Sequence, residues 1–298
     1  MTKSPLAELP SKIIDWSTLT KAQDIFRRTE LSQEWVFRGT SEKGYDGLKT
    51  TLERVAEEFD VVSNKVPDLE VKLILEFMRP YHIYGTEPPP KQGDTLDWLA
   101  LMRHHGAPSR FLDFTFSLPV ATYFALQKKR KGSPKIWAVN KRWLTNEVET
   151  IVKDNRLRAE FEKYARYRDG NAFRNIFLIH KLRFVSAVSP FRMNQRLTIQ
   201  QGVFLCPGDV RQSFLSNLKA MRNWKNNVVE IIIDPSARAD LLGALFRVNL
   251  NDATLFPGID GFASSLWTKV AILKKLQGME EAKSRSEVNL DIRTLARW

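Results

Sequence analysis

The segment over residues 99–115 holds the side chains of this chain that are best suited to chemistry. Its ionisable residues stand among apolar and small ones: Arg103, His104, His105, Arg110 and Asp113. Because burying a charge without a partner is costly, a segment that only filled a core would not carry so many of them. We interpret it as a site loop that brings imidazole, guanidinium and carboxylate groups together. The alternative is a helix that ends at Gly106, followed by a strand in which Arg110 pairs with Asp113.

The histidines and the cysteine limit the chemistry further. Histidine titrates near neutrality, so His104 suits general-base work on a hydroxyl or an amine; its alternative role is to cap the C-terminus of a helix. Neighbouring residues on a helix point about 100° apart, so His104 and His105 are not expected to share a metal ion. A single cysteine, Cys206, excludes an intramolecular disulfide and a multi-cysteine zinc site.

The composition is that of a folded and strongly basic chain. Its 298 residues carry a net charge of +12, and 43% of them are hydrophobic, which is enough for one large domain. A basic balance favours polyanionic partners: nucleic acid, nucleotide phosphates or an acidic protein. No run approaches the roughly eighteen apolar residues of a membrane helix, and no secretory leader is visible. We therefore expect a cytoplasmic protein that makes no membrane contact.

Hydrophobic periodicity and turn residues predict the elements that position this segment. Predicted strands cover residues 34–40, 110–114, 136–139, 184–188, 202–206 and 228–233. Predicted helices cover residues 17–28, 48–63, 68–79, 97–103 and 237–246. A further helix is expected to begin after Ser117, and a last one after the turn at 255–261. Residues 143–180 are expected to be mostly helical. Ser17 and Ser117 are the expected N-caps, because a serine hydroxyl accepts an orphan backbone N–H. Strands and helices do not alternate regularly, so we expect the α+β class.

Several motifs occur in a fixed order along the chain. They are Trp35-Val36-Phe37-Arg38-Gly39, residues 48–54, the block from His104 to Thr115, residues 119–125, Asn194-Gln195-Arg196 with Gln200-Gln201-Gly202-x-Phe204, and Leu255-Phe256-Pro257-x-Ile259-Asp260-Gly261. Together they resemble the FRG domain family, which is named after a triplet seen here at residues 37–39 and is found largely in bacteria and their phages. The resemblance implies one globular FRG domain over residues 31–265, a helical extension over 1–30, and a helix with a basic tail over 266–298.

A second resemblance concerns the chemistry. The order of the motifs is similar to that of the ADP-ribosyltransferase superfamily of the Arg–Ser–Glu type. Arg38 matches the arginine at the end of the first strand, and the segment 115–117 matches the Ser/Thr-x-Ser step. Residues 200–202 fall where the glutamate strand belongs, with glutamine in place of glutamate. This likeness implies the superfamily's mixed, mostly antiparallel sheet, and NAD as the substrate.

The same resemblance implies roles for individual residues. The expected NAD-binding residues are Arg38, Gly39, Thr40, Arg54, Arg110, Thr115 and Ser117, and the expected catalytic residues are His104, Asp113, Gln200 and Gln201. Arg38 would hold the pyrophosphate, since a guanidinium binds phosphate through two parallel hydrogen bonds, while Thr115 and Ser117 would position the ribose. A glutamine amide reaches the ribose 2′-hydroxyl but lacks the charge that stabilises an oxocarbenium-like transition state. Asp113 or another carboxylate would have to supply that charge.

The expected function is therefore that of an NAD-utilising, ADP-ribosyltransferase-like effector that modifies a nucleic acid or a protein, in a toxin or in anti-phage defence. Two alternatives stay open. The first is a non-catalytic module that binds a nucleotide, RNA or a protein through the same cleft. The second is a metal-independent nuclease that uses His104 and Arg110. The sequence leaves the acceptor and the oligomeric state open.

Overall fold

The computed structural model describes residues 5–29, 34–128, 132–154, 157–270 and 273. Its strands are β1 (Lys12–Ile13), β2 (Trp35–Thr40), β3 (Leu112–Thr115), β4 (Lys135–Asn140), β5 (Val185–Val188), β6 (Gly202–Pro207) and β7 (Val228–Ile233). Its helices are α1 (Trp16–Arg28), α2 (Thr51–Glu58), α3 (Val66–Met78), α4 (Tyr81–Tyr84), α5 (Thr95–His104), α6 (Leu118–Leu126), α7 (Lys141–Asp154), α8 (Arg158–Tyr167), α9 (Gly170–Arg174), α10 (Gln195–Ile199), α11 (Phe214–Lys219), α12 (Trp224–Asn227), α13 (Arg238–Arg247), α14 (Asp252–Leu255) and α15 (residues 259–270).

The strands form one sheet in the order β1-β7-β4-β2-β3-β6-β5. Every neighbouring pair is antiparallel except β1 with β7, which is parallel. The predicted α+β class and the mostly antiparallel sheet are therefore confirmed. Sequence reasoning missed β1, because two residues are too few to show a period of alternation.

The sheet lies between two layers of helices, and its side chains alternate between them. Val36, Phe114 and Val139 belong to a core that they share with residues of α3, α5, α7, α8 and α9. Phe37 and Ala138 belong to a second core, built with α1, α6 and α13. Consecutive strand residues point to opposite faces, so a strand that is buried on both sides is apolar throughout. This accounts for the continuous apolar run at the start of β2.

The structure gives a physical reason for two of the differences between the predicted and the observed boundaries. Helix α1 is capped by Asp15 and not by Ser17: the Asp15 carboxylate accepts from the Thr18 amide at 2.8 Å, while the Thr18 hydroxyl accepts from the Asp15 amide at 3.1 Å. This reciprocal capping box satisfies two orphan donors, which one serine cannot do. Strand β3 begins two residues later than predicted, because Arg110 is held in a buried ion pair outside the sheet.

Other predicted features are present as expected. Ser117 caps α6, with its hydroxyl accepting from the Val120 amide at 3.3 Å, and the proline-rich segment 86–93 contains neither helix nor strand. The polar tail from Met279 lies outside the described residues. Within the described part of the chain, no helix is both long enough and apolar enough to cross a membrane.

Candidate functional site

The candidate site lies where β2 and β3 separate. These strands share a single ladder pair, Phe37 with Thr115, whereas β2 and β4 share six. Beyond that pair, hydrogen bonds from the Arg38 side chain replace the backbone hydrogen bonds between the two strands. Its Nη1 donates to the backbone carbonyl of Asp113 at 2.8 Å, and its Nε donates to the carbonyl of Gly47 at 2.7 Å. The separation leaves a cavity of about 270 Å³, which we call the wedge cavity.

The wedge cavity collects residues from six parts of the chain. Its lining consists of Phe37, Arg38, Gly39, Thr40, Ser41, Glu42, Arg103, Asp113, Phe114, Thr115, Phe124, Gln127, Lys128, Arg196, Gln200 and Phe256. Four of these side chains are basic and two are acidic. The lining therefore carries a net positive charge, which favours an anionic ligand.

Three guanidinium groups surround one carboxylate in this cavity. Arg103 donates from Nε to Oδ2 of Asp113 at 3.0 Å, and its Nη2 contacts the same oxygen. Burial alone would raise the pKa of Asp113, but Arg103, with Arg38 and Arg196 nearby, lowers it below its ordinary value. Asp113 is therefore ionised at neutral pH, and a single negative charge faces three positive ones.

The surplus positive charge is held where water is partly excluded. Burial lowers the pKa of Arg38 to about 10, and the neighbouring Arg103 contributes to the shift. Burial also lowers the pKa of Arg196, again with a contribution from Arg103. Both groups are still protonated at neutral pH. A bound anion would relieve the repulsion among the three arginines, and charged groups attract more strongly in such a partly desolvated place than in water.

Two aromatic rings belong to the lining of the wedge cavity. Phe124 and Phe256 meet edge to face, with their ring centroids 6.0 Å apart. The guanidinium of Arg196 lies over the Phe256 ring at 4.6 Å from its centroid. Aromatic faces of this kind accept planar rings by stacking. The cavity therefore combines a surface for a flat group with charges for an anionic one.

Gly39 is required by the close approach of β2 to α6. A Cβ at this position would lie 1.7 Å from the backbone carbonyl oxygen of Ala121 and 2.6 Å from the amide nitrogen of Ala125. No side chain fits in that space, because the atoms in the way belong to the helix backbone. The glycine thus brings α6, and with it Phe124, against the strand that carries Arg38.

Of the two hydroxyl residues predicted to position a ribose, Thr115 lines the wedge cavity and Ser117 does not. Thr115 is buried in the cavity wall, where its hydroxyl donates to the carbonyl of Gln200 at 2.7 Å and accepts from the Ser117 amide at 3.0 Å. Ser117 does not line the cavity, since its hydroxyl caps α6. Thr40 is buried and does line it.

The two predicted glutamines also have different surroundings. Gln200 lines the wedge cavity, and its Nε2 donates to the carbonyl of Leu255 at 2.9 Å. Gln201 is exposed, adopts a positive φ of 48°, and accepts from the Phe116 amide through its carbonyl at 3.0 Å. The structure therefore brings only Gln200 together with Arg38 and Thr115.

Two predicted arginines do not line the cavity. Arg110 is fully buried in an ion pair with Glu70, and its Nη1 donates to the carbonyls of Phe177 at 2.7 Å and Pro207 at 3.2 Å. It thus ties three segments of the core together and does not pair with Asp113. Arg54 contacts a lining residue instead: its Nη2 donates to Glu42 at 2.5 Å.

His104 lies next to the wedge cavity and not in it. It lines a small cavity of about 40 Å³ that shares Arg103, Asp113, Arg196 and Gln200 with the wedge cavity. Its ring packs edge to face on His105, with centroids 4.9 Å apart. Burial lowers the pKa of His104, and His105 and Arg196 add to the effect. The imidazole is therefore neutral at pH 7, with the protonation state of a base.

Sequence reasoning missed several lining residues. Arg103 stands in the segment 99–115, and Phe124, Arg196 and Phe256 stand inside the motifs noted above, but none of the four was assigned a binding or catalytic role. Each of them lies close in sequence to other residues of the motifs. A motif in the sequence does not show which of its residues line a cavity and which pack in the core. Cys206 is buried within β6. Among the described residues, no group of three His, Cys, Asp or Glu side chains is arranged to hold a metal ion.

Comparison with known proteins identifies the segment that carries most of this cavity. Residues 33–133 match the family model of the FRG domain. No curated protein and no solved structure matches the chain. The matched range includes the triplet with Arg38 and Gly39, the ion-paired Arg103 and Asp113, and Thr115, whereas Arg196, Gln200 and Phe256 lie beyond it. Residues 33–133 of this chain are thus an FRG domain, the family that its Phe-Arg-Gly triplet indicated.

Proposed function

We propose that this chain binds NAD in the wedge cavity and transfers its ADP-ribosyl group to a nucleic acid or a protein. The observation that carries the proposal is the convergence of Arg38, Thr115 and Gln200 in one cavity. These residues stand at the three positions where the Arg–Ser–Glu transferases resemble this chain. An effector role in a toxin or in anti-phage defence, a cytoplasmic setting and a transferase-like fold belong to the same proposal.

The charges and rings of the cavity support the binding step. The Nε and Nη1 groups of Arg38 are used within the protein, and among the described residues none accepts from its Nη2. A phosphate oxygen would accept a hydrogen bond from this Nη2 group, and Arg196 would act as a second donor. Phe124 and Phe256 offer a face to the adenine or the nicotinamide ring. The volume of about 270 Å³ is close to the lower end of the range of about 300–1,000 Å³ for ligand sites, so part of a dinucleotide would lie outside the wedge.

The transfer step needs negative charge beside the ribose. Loss of nicotinamide leaves an oxocarbenium-like centre, which a carboxylate stabilises and a glutamine amide does not. Asp113 and Glu42 are the carboxylates of the lining, and both are ion-paired, with Arg103 and Arg54 respectively. Asp113 would act if ligand binding drew Arg103 away from it, and the neutral His104 would accept the proton of the acceptor.

The same ion pairs favour a second candidate, a binding module without turnover. If neither carboxylate is released, the cavity recognises a nucleotide but has no charge with which to cleave it. The metal-independent nuclease has no comparable support, because the buried ion pair with Glu70 removes Arg110 from any substrate.

Binding and turnover measured on the same preparation separate these candidates. Calorimetric titration with NAD, ADP-ribose and adenosine tests recognition, and release of nicotinamide in the presence of bulk RNA, DNA or cell lysate tests transfer. We expect NAD and ADP-ribose to bind and adenosine, which lacks phosphate, to bind at least about tenfold more weakly. Arg196→Gln should weaken NAD binding, whereas Arg174→Gln, at an exposed position on α9, should not.

The outcomes differ for each candidate. Binding with nicotinamide release supports the transferase, and binding without release under every acceptor condition supports the module. Absence of binding by NAD and ADP-ribose at millimolar concentration overturns both. A thermal shift gives an independent readout, because a ligand that binds only the native state raises the melting temperature by mass action.

A further inference from the structure

His104 also lines a second and larger cavity. It has a volume of about 540 Å³, and we call it the aromatic cavity. Its lining consists of Glu76, Phe77, Pro80, Tyr81, Tyr84, Gly85, Thr86, Glu87, Leu101, His104, His105 and Asn194. The proposed function makes no use of this cavity. Its walls come from α3, α4, α5 and the loop after α4.

The back wall of the aromatic cavity is rigidly built. The Tyr81 ring meets the Trp98 ring edge to face at 5.4 Å and packs on the Phe77 ring at 6.0 Å. The Tyr81 hydroxyl donates to the carbonyl of Glu87 at 3.3 Å, which ties the loop to α4. A Cβ on Gly85 would lie 2.4 Å from the Tyr81 ring, so only glycine lets the loop pass this closely. The cavity is therefore formed before any ligand arrives.

The front of the aromatic cavity presents another ring to solvent. Tyr84 is 81% exposed, although it lines the cavity. A tyrosine at this position gains nothing from core packing. Its ring instead offers a face to whatever enters between α4 and the two histidines.

The charge of the aromatic cavity is opposite to that of the whole chain. Two carboxylates line it, those of Glu76 and Glu87, and the described lining residues include no lysine and no arginine. Glu76 is ion-paired with Arg79 at 3.7 Å, so Glu87 carries the main negative charge of the lining. The chain as a whole carries a net charge of +12. Burial lowers the pKa of His104, so this imidazole adds no positive charge at neutral pH. A phosphate group would be repelled here, which separates this cavity from the arginine-lined wedge.

We propose that the aromatic cavity binds an organic cation, namely an alkylammonium or guanidinium group. Aromatic faces attract such cations through the negative charge above the ring plane, and nearby carboxylates add a direct attraction. The cation would stand between the Tyr84 ring and the fixed Tyr81 wall, with Glu87 at the mouth. The proposal goes beyond the proposed function and does not depend on nucleotide binding.

The test uses a cation and its neutral isostere. Choline and 3,3-dimethyl-1-butanol have the same shape, and only choline is charged. We expect calorimetric or NMR titration of the full chain to show choline binding at least about fivefold more tightly than the alcohol. Equal binding of the two compounds, or no binding of choline at tens of millimolar, would overturn the proposal.

Variants locate the cation. Tyr84→Ala and Glu87→Gln should each weaken choline binding by about two- to fivefold, because each removes one attraction to the positive charge. Ile83→Ala is the matched control, since Ile83 is 67% exposed on the same helix and does not line the cavity. If Tyr84→Ala binds choline as tightly as the unmodified chain does, the cavity is not the binding site and the proposal fails.

Two further titrations identify the source of the cation, and one further variant separates this proposal from the proposed function. An acetylated arginine methyl ester represents a free small cation, and a peptide with one arginine represents a side chain of a protein partner. Tighter binding of the peptide supports a protein source, and equal binding supports a small molecule. Arg38→Gln should leave choline binding unchanged while it weakens NAD binding. The two proposals can therefore be tested independently, and the failure of one does not imply the failure of the other.

Discussion

Arg38 donates from Nη1 to the backbone carbonyl of Asp113 at 2.8 Å, across the gap in which β2 and β3 no longer pair. The Arg38 side chain thus makes the hydrogen bond that a backbone amide of β2 would make if the two strands paired along their whole length. The guanidinium therefore keeps the gap wide enough for a cavity while it satisfies an otherwise unpaired carbonyl. It also places positive charge at the cavity wall, so one residue joins the architecture of the sheet to ligand recognition.

The double role of Arg38 predicts the effect of a conservative substitution. Arg38→Lys keeps the charge, but an ammonium does not reproduce two hydrogen bonds in fixed directions. We expect the free energy of unfolding in urea to fall by about 1–3 kcal/mol, since buried carbonyls lose a charged donor, and NAD affinity to fall about tenfold. Arg174→Lys, at an exposed site on α9, is the control. Unchanged stability and affinity in Arg38→Lys would show that neither role is correct.

Gly39 predicts a much larger effect on stability. In Gly39→Ala the new methyl group overlaps the backbone of α6, so the helix must move away from β2. We expect a loss of about 3 kcal/mol or more, measured by urea unfolding, or failure to fold. The matched control is Gly93→Ala, where the added Cβ would lie 3.5 Å from Asn171 Oδ1, an ordinary contact. Equal stability of the two variants would contradict the close approach of β2 and α6.

The buried ion pair of Glu70 and Arg110 predicts a non-additive result. Glu70→Gln leaves the guanidinium in the core without its counter-charge, and we expect this to cost about 3–5 kcal/mol. Replacing both residues, as in Glu70→Leu with Arg110→Met, should restore much of that loss, because no buried charge remains. Glu149→Gln breaks an exposed pair with Lys153 and should leave the free energy of unfolding nearly unchanged. A double variant that is less stable than Glu70→Gln would argue against this account.

His104 predicts a particular pH dependence. Its pKa is below the ordinary value of about 6.5 in the folded chain, chiefly because of burial. Between the two values the unfolded chain binds more protons at this residue, so its contribution to stability rises with pH through that window. This contribution to stability is fully present at a pH above the ordinary pKa of histidine. It is lost as the pH falls toward the pKa of His104 in the folded chain.

An NMR titration of the imidazole protons tests this directly. The chain has four histidines, and the His104→Gln variant identifies the signal that belongs to residue 104. We expect its midpoint below that of a model histidine, and the urea stability of His104→Gln should depend less on pH near 6. A midpoint above 6.5 would reverse the sign and would remove the argument that His104 is neutral beside both cavities.

Local sequence patterns predicted most of the elements and their type. The apolar run of β2, the serine cap of α6 and the breaks around the proline-rich loop depend on interactions among near neighbours, which a sequence shows. The seven-strand order does not follow from such patterns. The helix cap of Asp15 was missed because the choice between two polar residues depends on which of them completes a reciprocal pair.

The candidate site was predictable only in part, and the reason is geometric. The sequence by itself determined that arginine, imidazole and carboxylate groups stand close together in an apolar setting, and that the Phe-Arg-Gly triplet marks an FRG domain. The tertiary structure decided which of these groups meet: Arg103 takes Asp113, while Glu70 takes Arg110 out of the site. It also brought Arg196 and Phe256 to the cavity from far along the chain. Ion pairing and desolvation depend on distances in space, and residues that are neighbours in sequence do not fix those distances.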